Sequence, residues 1–427
     1  MKHKMTKALG LCVLASMIVT GTAEAQSSEA LLKTLVKKGV ITEAEADELR
    51  KETTGGSKEA VREWVKRISF KGDLRLRYEQ KHQSWDAGGQ KSRQRQRYRF
   101  RYGIYSDIGD EWQLGFRLAS GGTDNALSTN QSLDDKGHND PIAIDQIYAH
   151  YMPGYLPELD LWAGKLPSMN STGWNFSTAA IDSDFTPEGL QVNYSHNWDN
   201  GSLGFNLGGF ALNESGGTER DAYLGAAQLV LNQKLTDPLD VKASVGAYGI
   251  MHRENVVSAV GANSNARHGE AAGNTEVGGN APIYNMNPVM ADLAFTYKTS
   301  FAPLKAYSTY IKNEGAPSAT NEGWIVGGKV GNAKKRGEWQ VSYEFRNLEA
   351  DSLWDQLADD DFGAFGTRNN GTNGYYNGTN ARGHVIQGKY GITDFLSLNL
   401  SYFATEAINS SVDKTTRRFR VDLIWSF

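Results

Sequence analysis

The 427-residue chain carries 45 Lys and Arg against 49 Asp and Glu, one Cys, 46 Gly, 10 Pro and 45 aromatic residues. A formal net charge of −4 argues against a general nucleic-acid binder, a lone Cys excludes a disulfide framework, and no apolar run of 18 or more residues follows the first 25, which excludes spanning helices. A closed barrel remains available, because each of its strands needs only about ten residues of alternating pattern.

In chain order, the first 25 residues have the pattern of an export signal. Lys2, Lys4 and Lys7 precede an apolar stretch from Ala8 to about Val19, and Ala23-Glu24-Ala25 gives a cleavage site. The expected mature chain starts at Gln26. Cys12 lies in the removed segment, and loss of that segment's net charge of +2 leaves −6. Two short helices are predicted next. Leu31, Leu32, Leu35 and Val36 share a stripe that stops at Gly39, and Thr42 with Glu45 has capping-box spacing. "TTGGSKEA" reads as a linker, followed by an amphipathic turn carrying Val61, Trp64, Val65 and Ile68. The expected division is a signal peptide over 1–25, a helical periplasmic leader over 26–67 and a barrel over 68–427. A polar leader is the plainer reading of 26–67; an oligomerising stalk or a cell-wall contact through these helices is the alternative.

From Ile68 onward the hydrophobic period is two. Sixteen candidate strands begin near Ser69, Arg93, Trp112, Pro141, Leu159, Glu188, Ser202, Arg220, Asp240, Val289, Leu304, Gly323, Glu338, Arg382, Phe395 and Arg417. "LGFNLGGFAL", "VKASVGAYGI" and "LSLNLSYFAT" alternate cleanly. The strands near Ile142 and Leu159 do not, and a bulge is expected there. The connections alternate in length. Short ones fall at 107–111, 197–201, 236–240, 300–302, 332–337 and 391–394; long ones cover about 82–92, 120–140, 167–186, 253–287, 349–380 and 407–415. A soluble sandwich has no reason to gather its long connections at one end, whereas a transmembrane antiparallel β-barrel has tight periplasmic turns and long external loops. The expected fold class is therefore all-β, a transmembrane antiparallel β-barrel of about 16 strands with a short helical N-terminal segment. Sixteen strands leave an aqueous channel rather than a filled core.

The run "RQRQRYRFRYGIY", from Arg93 to Tyr105, has arginine at every second position up to Arg101. On an extended strand these arginines share one face, while Tyr98, Phe100, Tyr102 and Ile104 occupy the other. An arginine facing hydrocarbon at mid-depth costs about 2–4 kcal/mol, so the arginines are expected in the lumen. The same parity turns Phe70, Leu74, Leu76 and Tyr78 to lipid and Lys71, Asp73, Arg75, Arg77 and Glu79 inward. Arg117 is expected inward on the third strand. On the last strand Phe419, Val421, Leu423, Trp425 and Phe427 face out, Arg418, Arg420 and Asp422 face in, and Ile424 is an exception. Closure brings the last strand beside the first. Arg75, Arg101, Arg117 and Arg420 then lie at similar heights, roughly 15–25 Å along their strands. The candidate pore-lining residues are Arg75, Arg77, Arg97, Arg99, Arg101, Arg117, Arg418 and Arg420. Pairing with Asp73, Glu79 and Asp422 is the competing way to neutralise them.

Asp182 and Asp184, in the third external loop, are candidates to face the arginine arc and set up a transverse field. Asp359, Asp360 and Asp361 are adjacent, whereas metal loops space their ligands, so these three are expected to be solvated. Lys71 and Lys165 are the lysines with clear lumen positions, too few for a dedicated phosphate channel. No G-x-S-x-G or H-E-x-x-H occurs and the eight histidines are scattered. No catalytic, cofactor or metal site is therefore expected. A barrel enzyme and a secreted all-β binding protein are the rival readings.

The leader "LLKTLVKKGVITEAEADELRKE", the first strand "ISFKGDLRLRYE" with its arginine-rich successor, "DSDFTPEGLQVNY", "DDDFGAFGTRNNG" with the following "ARGH", and the C-terminal "RVDLIWSF" together resemble the putative porin family of Gram-negative outer membranes. The terminal Phe resembles the C-terminal signal of outer-membrane barrels. The resemblance covers nearly all of the mature chain. It implies a sixteen-stranded barrel, assembled as a homotrimer among outer-membrane lipids. It implies passive diffusion of small hydrophilic solutes or ions without an energy source. The family is related in plan to phosphate-selective porins, and an arginine-rich lumen points to anions.

Overall fold

The computed structural model describes residues 67–427, except 86–87, 123–125, 134–135, 215, 218–219, 254–255, 257–275, 278–280, 283, 364–377 and 410–413, together with 36–37 and 42–43. The chain divides into two compact units, 1–67 and 68–427. In the first, Val36, Lys37 and Glu43 are helical. The export signal and the rest of the helical leader lie outside the described residues.

Sixteen long antiparallel strands form the second unit among the described residues. They are β1 (Ile68–Trp85), β2 (Gly89–Ile108), β3 (Trp112–Ser120), β4 (Ile142–Tyr151), β5 (Leu159–Lys165), β6 (Glu188–Trp198), β7 (Gly201–Asn213), β8 (Ala222–Lys234), β9 (Leu239–Met251), β10 (Pro288–Lys298), β11 (Pro303–Asn313), β12 (Glu322–Gly331), β13 (Trp339–Leu348), β14 (Ala381–Gly391), β15 (Leu396–Ala407) and β16 (Lys414–Ser426). Each pairs with the next, and β16 pairs with β1 from Asp73↔Ser426 to Trp85↔Lys414, which closes the sheet. Closure leaves no strand edge unpaired, the condition for backbone polar groups in hydrocarbon. Two short pieces are added. Gln131–Ser132 pairs with Arg97 and Tyr98, and Glu276–Val277 pairs with Ala281–Pro282.

The outward face follows the expected parity. Phe70, Leu76, Tyr78, Phe100, Ile104, Trp112 and Leu114 are exposed, while Asp73, Arg75, Arg77, Glu79 and Arg99 are buried. At the end with tight turns, Trp112, Trp198, Tyr297, Trp339 and Tyr390 are exposed outward, as an interfacial aromatic girdle requires. The seam between the first and last strands is completed by Phe427. Its backbone exchanges two hydrogen bonds with Gly72, and its ring lies against Gly72 where a Cβ would come within 2.7 Å. Only glycine leaves room there.

Three features depart from the pattern reading. The connection expected over 82–92 is instead the continuation of β1 and β2, paired as far as Trp85↔Gly89. The expected bulge is real, and sits opposite Arg117 and Leu118, where Asp145 is skipped in the pairing of β3 with β4. Third, the inner wall is not uniformly polar. Phe210, Leu224, Tyr248, Met290, Ile311, Ile325 and Leu348, on β7 to β13, are buried inside the barrel. They form one cluster with Trp174 and Phe176 of the 166–187 loop and with Leu353, Trp354, Leu357 and Phe362 of the 349–380 loop. Two external loops thus fold into the lumen and pack on one side of it.

Candidate pore constriction

The 166–187 loop is seated on a carpet of amides. Gln228 Oε1 accepts a hydrogen bond from the Asn175 backbone N–H at 2.7 Å, Gln191 Nε2 donates to the Thr172 carbonyl at 2.6 Å, and Asn206 Nδ2 donates to the Gly173 carbonyl at 3.1 Å. Asn175 Nδ2 donates to Ser244 Oγ at 2.9 Å. Trp174 and Phe176 stack with centroids 5.4 Å apart. These anchoring amides escaped the sequence reading. Their signal is uncharged polar side chains at inward positions of β6, β7 and β8.

The 349–380 loop meets the first loop and then the arginines. The Asp182 N–H donates to the Leu357 carbonyl at 2.7 Å, and the Asp359 N–H donates to the Ala179 carbonyl at 3.3 Å. Asp359 pairs with Arg346 of β13 at 2.6 Å, and Arg346 also pairs with Glu344 and lies 5.0 Å from the Phe362 ring centroid. Asp361 takes Arg418 at 2.5 Å and also Arg420. Asp359 and Asp361 are therefore ion-pair partners of the wall, and Asp360 accepts from Arg418 through its backbone carbonyl at 3.4 Å, so the three are not the solvated residues expected. Adjacency suits them to this role, because a 3-10 turn at Asp360–Phe362 fans neighbouring side chains toward different strands.

Each predicted arginine can now be placed. In the pairing of β1 with β2, Arg75 stands opposite Arg99 and Arg77 opposite Arg97. Like charges directly opposite destabilise a sheet, and carboxylates are recruited around them. Arg77 makes two bonds to Asp422, at 2.7 and 2.9 Å. Arg99 reaches Asp73 at 2.9 Å and Asp184 at 3.3 Å; Arg101 reaches Asp73 at 2.6 Å and Asp184 at 3.6 Å. Arg117 pairs with the bulged Asp145 at 2.5 Å. Arg418 and Arg420 belong to Asp361. Arg75 and Arg97 differ. Arg75 donates to Asn130 Oδ1 at 2.5 Å, and Arg97 donates to the Asn130 carbonyl at 3.3 Å and Ser128 Oγ at 3.4 Å. Neither has a carboxylate partner among the described residues.

Asp184 lies beside Arg99 and Arg101. Asp182 does not; its Oδ1 accepts from the Asp184 N–H at 2.7 Å, and its carboxylate oxygens come within 4.8 Å of those of Asp359 and Asp360. Burial and those two neighbouring carboxylates raise the Asp182 carboxyl well above its ordinary range. Burial and the Asp361 carboxylate push Asp360 up to about 7. Burial works the same way on Asp361, but Arg420 and Arg418 outweigh it and hold that carboxyl well below the usual value.

The space left between loops and wall is a cavity of about 1140 Å³, lined by Arg75, Arg77, Arg97, Arg99, Arg101, Arg117 and Arg420. Arg418 is buried just behind it. Its lining residues include thirteen Lys and Arg and eight Asp and Glu. The lysines correct the earlier reading. Lys71 lines the cavity and Lys165 does not, being tied to Glu188 at 2.6 Å, while Lys242, Lys305, Lys329 and Lys389 are also present. One lysine per strand, each in a separate stretch of sequence, forms no local motif.

A closed sixteen-strand barrel with inward loops and a charged aqueous cavity invites comparison with known proteins. A family profile described as "Putative porin" matches residues 83–277 and 284–427. The chain belongs to this porin family. The porin shares its fold with Pseudomonas putida OprB in its high-pH structure, at 12% identity and a TM-score of 0.53, over 88% of this chain and 97% of that one. Salmonella typhi OmpF, solved in complex with daunomycin, aligns at 10% identity and a TM-score of 0.46 over 84% and 97% of the two chains. A loop L8 deletion mutant of Vibrio cholerae OmpT aligns at 12% identity and 0.44 over 84% and 99%. Among curated proteins none matches. As a porin the chain resides in the outer membrane, with its apolar outer face in lipid and its lumen open to small hydrophilic solutes.

Proposed function

We propose that this porin is anion-preferring, and that its selectivity is set where Arg75, Arg77, Arg97, Arg99 and Arg101 of β1 and β2, Arg117 of β3 and Arg420 of β16 face the inward loops, with Arg418 supporting from behind. Asp184 is the loop group opposing this wall. Diffusion is passive, limited in size by the two loops and biased in charge by the wall. The observation that carries the reading is the excess of cationic over anionic lining residues, with Arg75 and Arg97 hydrogen-bonded only to neutral groups. Neither is tied into an ion pair, although Asp184 and Asp422 act on Arg75, and Glu79 and Asp360 on Arg97, from further away. The same chain carries residues 1–25 as its export signal and 26–67 as a periplasmic leader, and assembles as a homotrimer; crosslinking of the detergent-purified protein reads the subunit number.

Reversal potentials in planar bilayers under a potassium chloride gradient test the selectivity. Arg75→Glu lowers the chloride-over-potassium permeability ratio by about threefold or more, because it inverts a charge that is held in no ion pair. An unchanged ratio removes Arg75 from the selectivity region. Absence of any ionic current overturns the open-pore reading itself.

A further inference from the structure

In each pair of opposed arginines one member is neutralised by a carboxylate, Arg99 by Asp73 and Arg77 by Asp422. The opposite wall contains the same cross-strand arrangement without such an ion pair. Lys305 of β11 stands directly opposite Lys329 of β12. Directly opposed residues of an antiparallel pair have Cα atoms only about 4.5–5.5 Å apart, and both side chains line the cavity. Lys242 on β9 and Lys389 on β14 extend the row to either side. All four sit two or three residues from the tight-turn ends of their strands, so they share one height at the periplasmic mouth.

None of the four lysines makes an ion pair among the described residues, although Asp292 is near enough to Lys242 to act on it electrostatically. The lumen carboxylates on the intervening strands are engaged elsewhere. Asp292 accepts from Thr309 at 2.6 Å and Ser244 at 3.1 Å, and Glu344 accepts from Tyr307 at 2.9 Å and pairs with Arg346. Lysines at the same end of the barrel but outside the cavity are paired: Lys298 with Asp240 at 2.7 Å and Lys234 with Asp237 at 2.8 Å. Lys305 Nζ lies 5.6 Å from the Tyr307 ring centroid, inside the cavity lining.

We infer that Lys305 and Lys329, flanked by Lys242 and Lys389, form a binding site for small polyvalent oxyanions at the periplasmic exit of the pore. Two ammonium groups held side by side are satisfied by one ligand carrying two or more negative charges, and a monovalent ion neutralises only one of them. Phosphate and di- or tricarboxylates both offer that chemistry. The site lies beyond the arginine constriction, and it gives an anion that has passed the wall a second place to rest before release.

The inference rests on the open-pore reading, and its test separates the two. Single-channel chloride current is recorded while phosphate, citrate or further chloride is added to the periplasmic chamber, with block normalised to each variant's own current. Wild-type protein is blocked by phosphate, citrate or both and not by added chloride, and which of the two blocks identifies the ligand as compact oxyanion or polycarboxylate. In Lys305→Gln/Lys329→Gln the half-blocking concentration rises about tenfold or more, as removal of two local charges from a focusing cleft requires. Lys298→Gln, outside the cavity, blocks as wild type. The single Lys329→Gln variant gives an intermediate shift should the double variant fail to fold. Current with no polyvalent block, or block unchanged in the lysine variants, overturns the site and leaves the pore reading intact. Loss of all current in the wild type overturns both.

Discussion

The two inward loops occupy one lumen but are held by different physics. The 166–187 loop lies on neutral amides and buries Trp174, Phe176, Ala180 and Ile181. The 349–380 loop also buries apolar side chains, yet its leading edge is fastened by ion pairs, Asp359 to Arg346 and Asp361 to Arg418 and Arg420. Both bring a carboxylate to the cationic wall, the first Asp184 at Arg99 and Arg101, the second Asp361 at Arg418 and Arg420. Hydrophobic anchoring is less sensitive to salt and pH than ionic anchoring. The seat of the second loop is therefore the more responsive to solution conditions.

The comparison is broken most strongly at Arg346. Arg346→Met leaves Glu344 and Asp359 buried without their cation, a loss of about 3–5 kcal/mol. The expected outcome is a lower temperature for the heat-induced gel shift in detergent, with increased conductance and altered selectivity. Trp174→Ala comes next, costing about 3–5 kcal/mol before relaxation of the pocket, and less where the loop can collapse. It raises conductance with a smaller change in reversal potential than Arg346→Met, since the charge it can displace from the wall is Asp184. An equal shift in selectivity from both substitutions would erase the distinction between the loops.

The smallest effect is expected from pH. Asp360, raised to about 7, binds its proton more tightly in the docked loop than in a detached one. A carboxyl raised in this way disfavours docking above that value, and the penalty is relieved as pH falls through 7. Asp361, held well below its usual range, keeps its charge and its arginines throughout this window. Between pH 8 and pH 6 the loop therefore docks more firmly and loses one negative charge. The chloride-over-potassium ratio rises by about twofold or less, and Asp360→Asn reduces the pH dependence, the raised Asp182 carboxyl beside it keeping a share.

Much of the architecture was legible because alternation is a local property. Phe70, Leu76 and Tyr78 against Asp73, Arg75 and Arg77 settle the orientation of β1 within a few residues. The extension of β1 and β2 beyond Gln80 was not legible, since a hairpin rising above the hydrocarbon is polar on both faces and reads as a loop. The partners of Asp359 and Asp361 were hidden because Arg418 lies 57 residues from Asp361 and nothing in the intervening chain marks the contact. The apolar inner face defeated the rule of a polar lumen. Met290, Ile311 and Ile325 look inward to another part of the same chain, and that chain segment takes the place of water.

The Arg77–Asp422 pair spans the seam where β1 meets β16. The electrical character of the lumen is consequently shared between the two strands, β1 and β16, that meet when the sheet closes. A partly assembled sheet, still open along that line, holds Arg75 and Arg77 without Asp422, Arg418 or Arg420. Such a nascent intermediate has neither an enclosed lumen nor the finished charge pattern, and both come into being with the same zippering event.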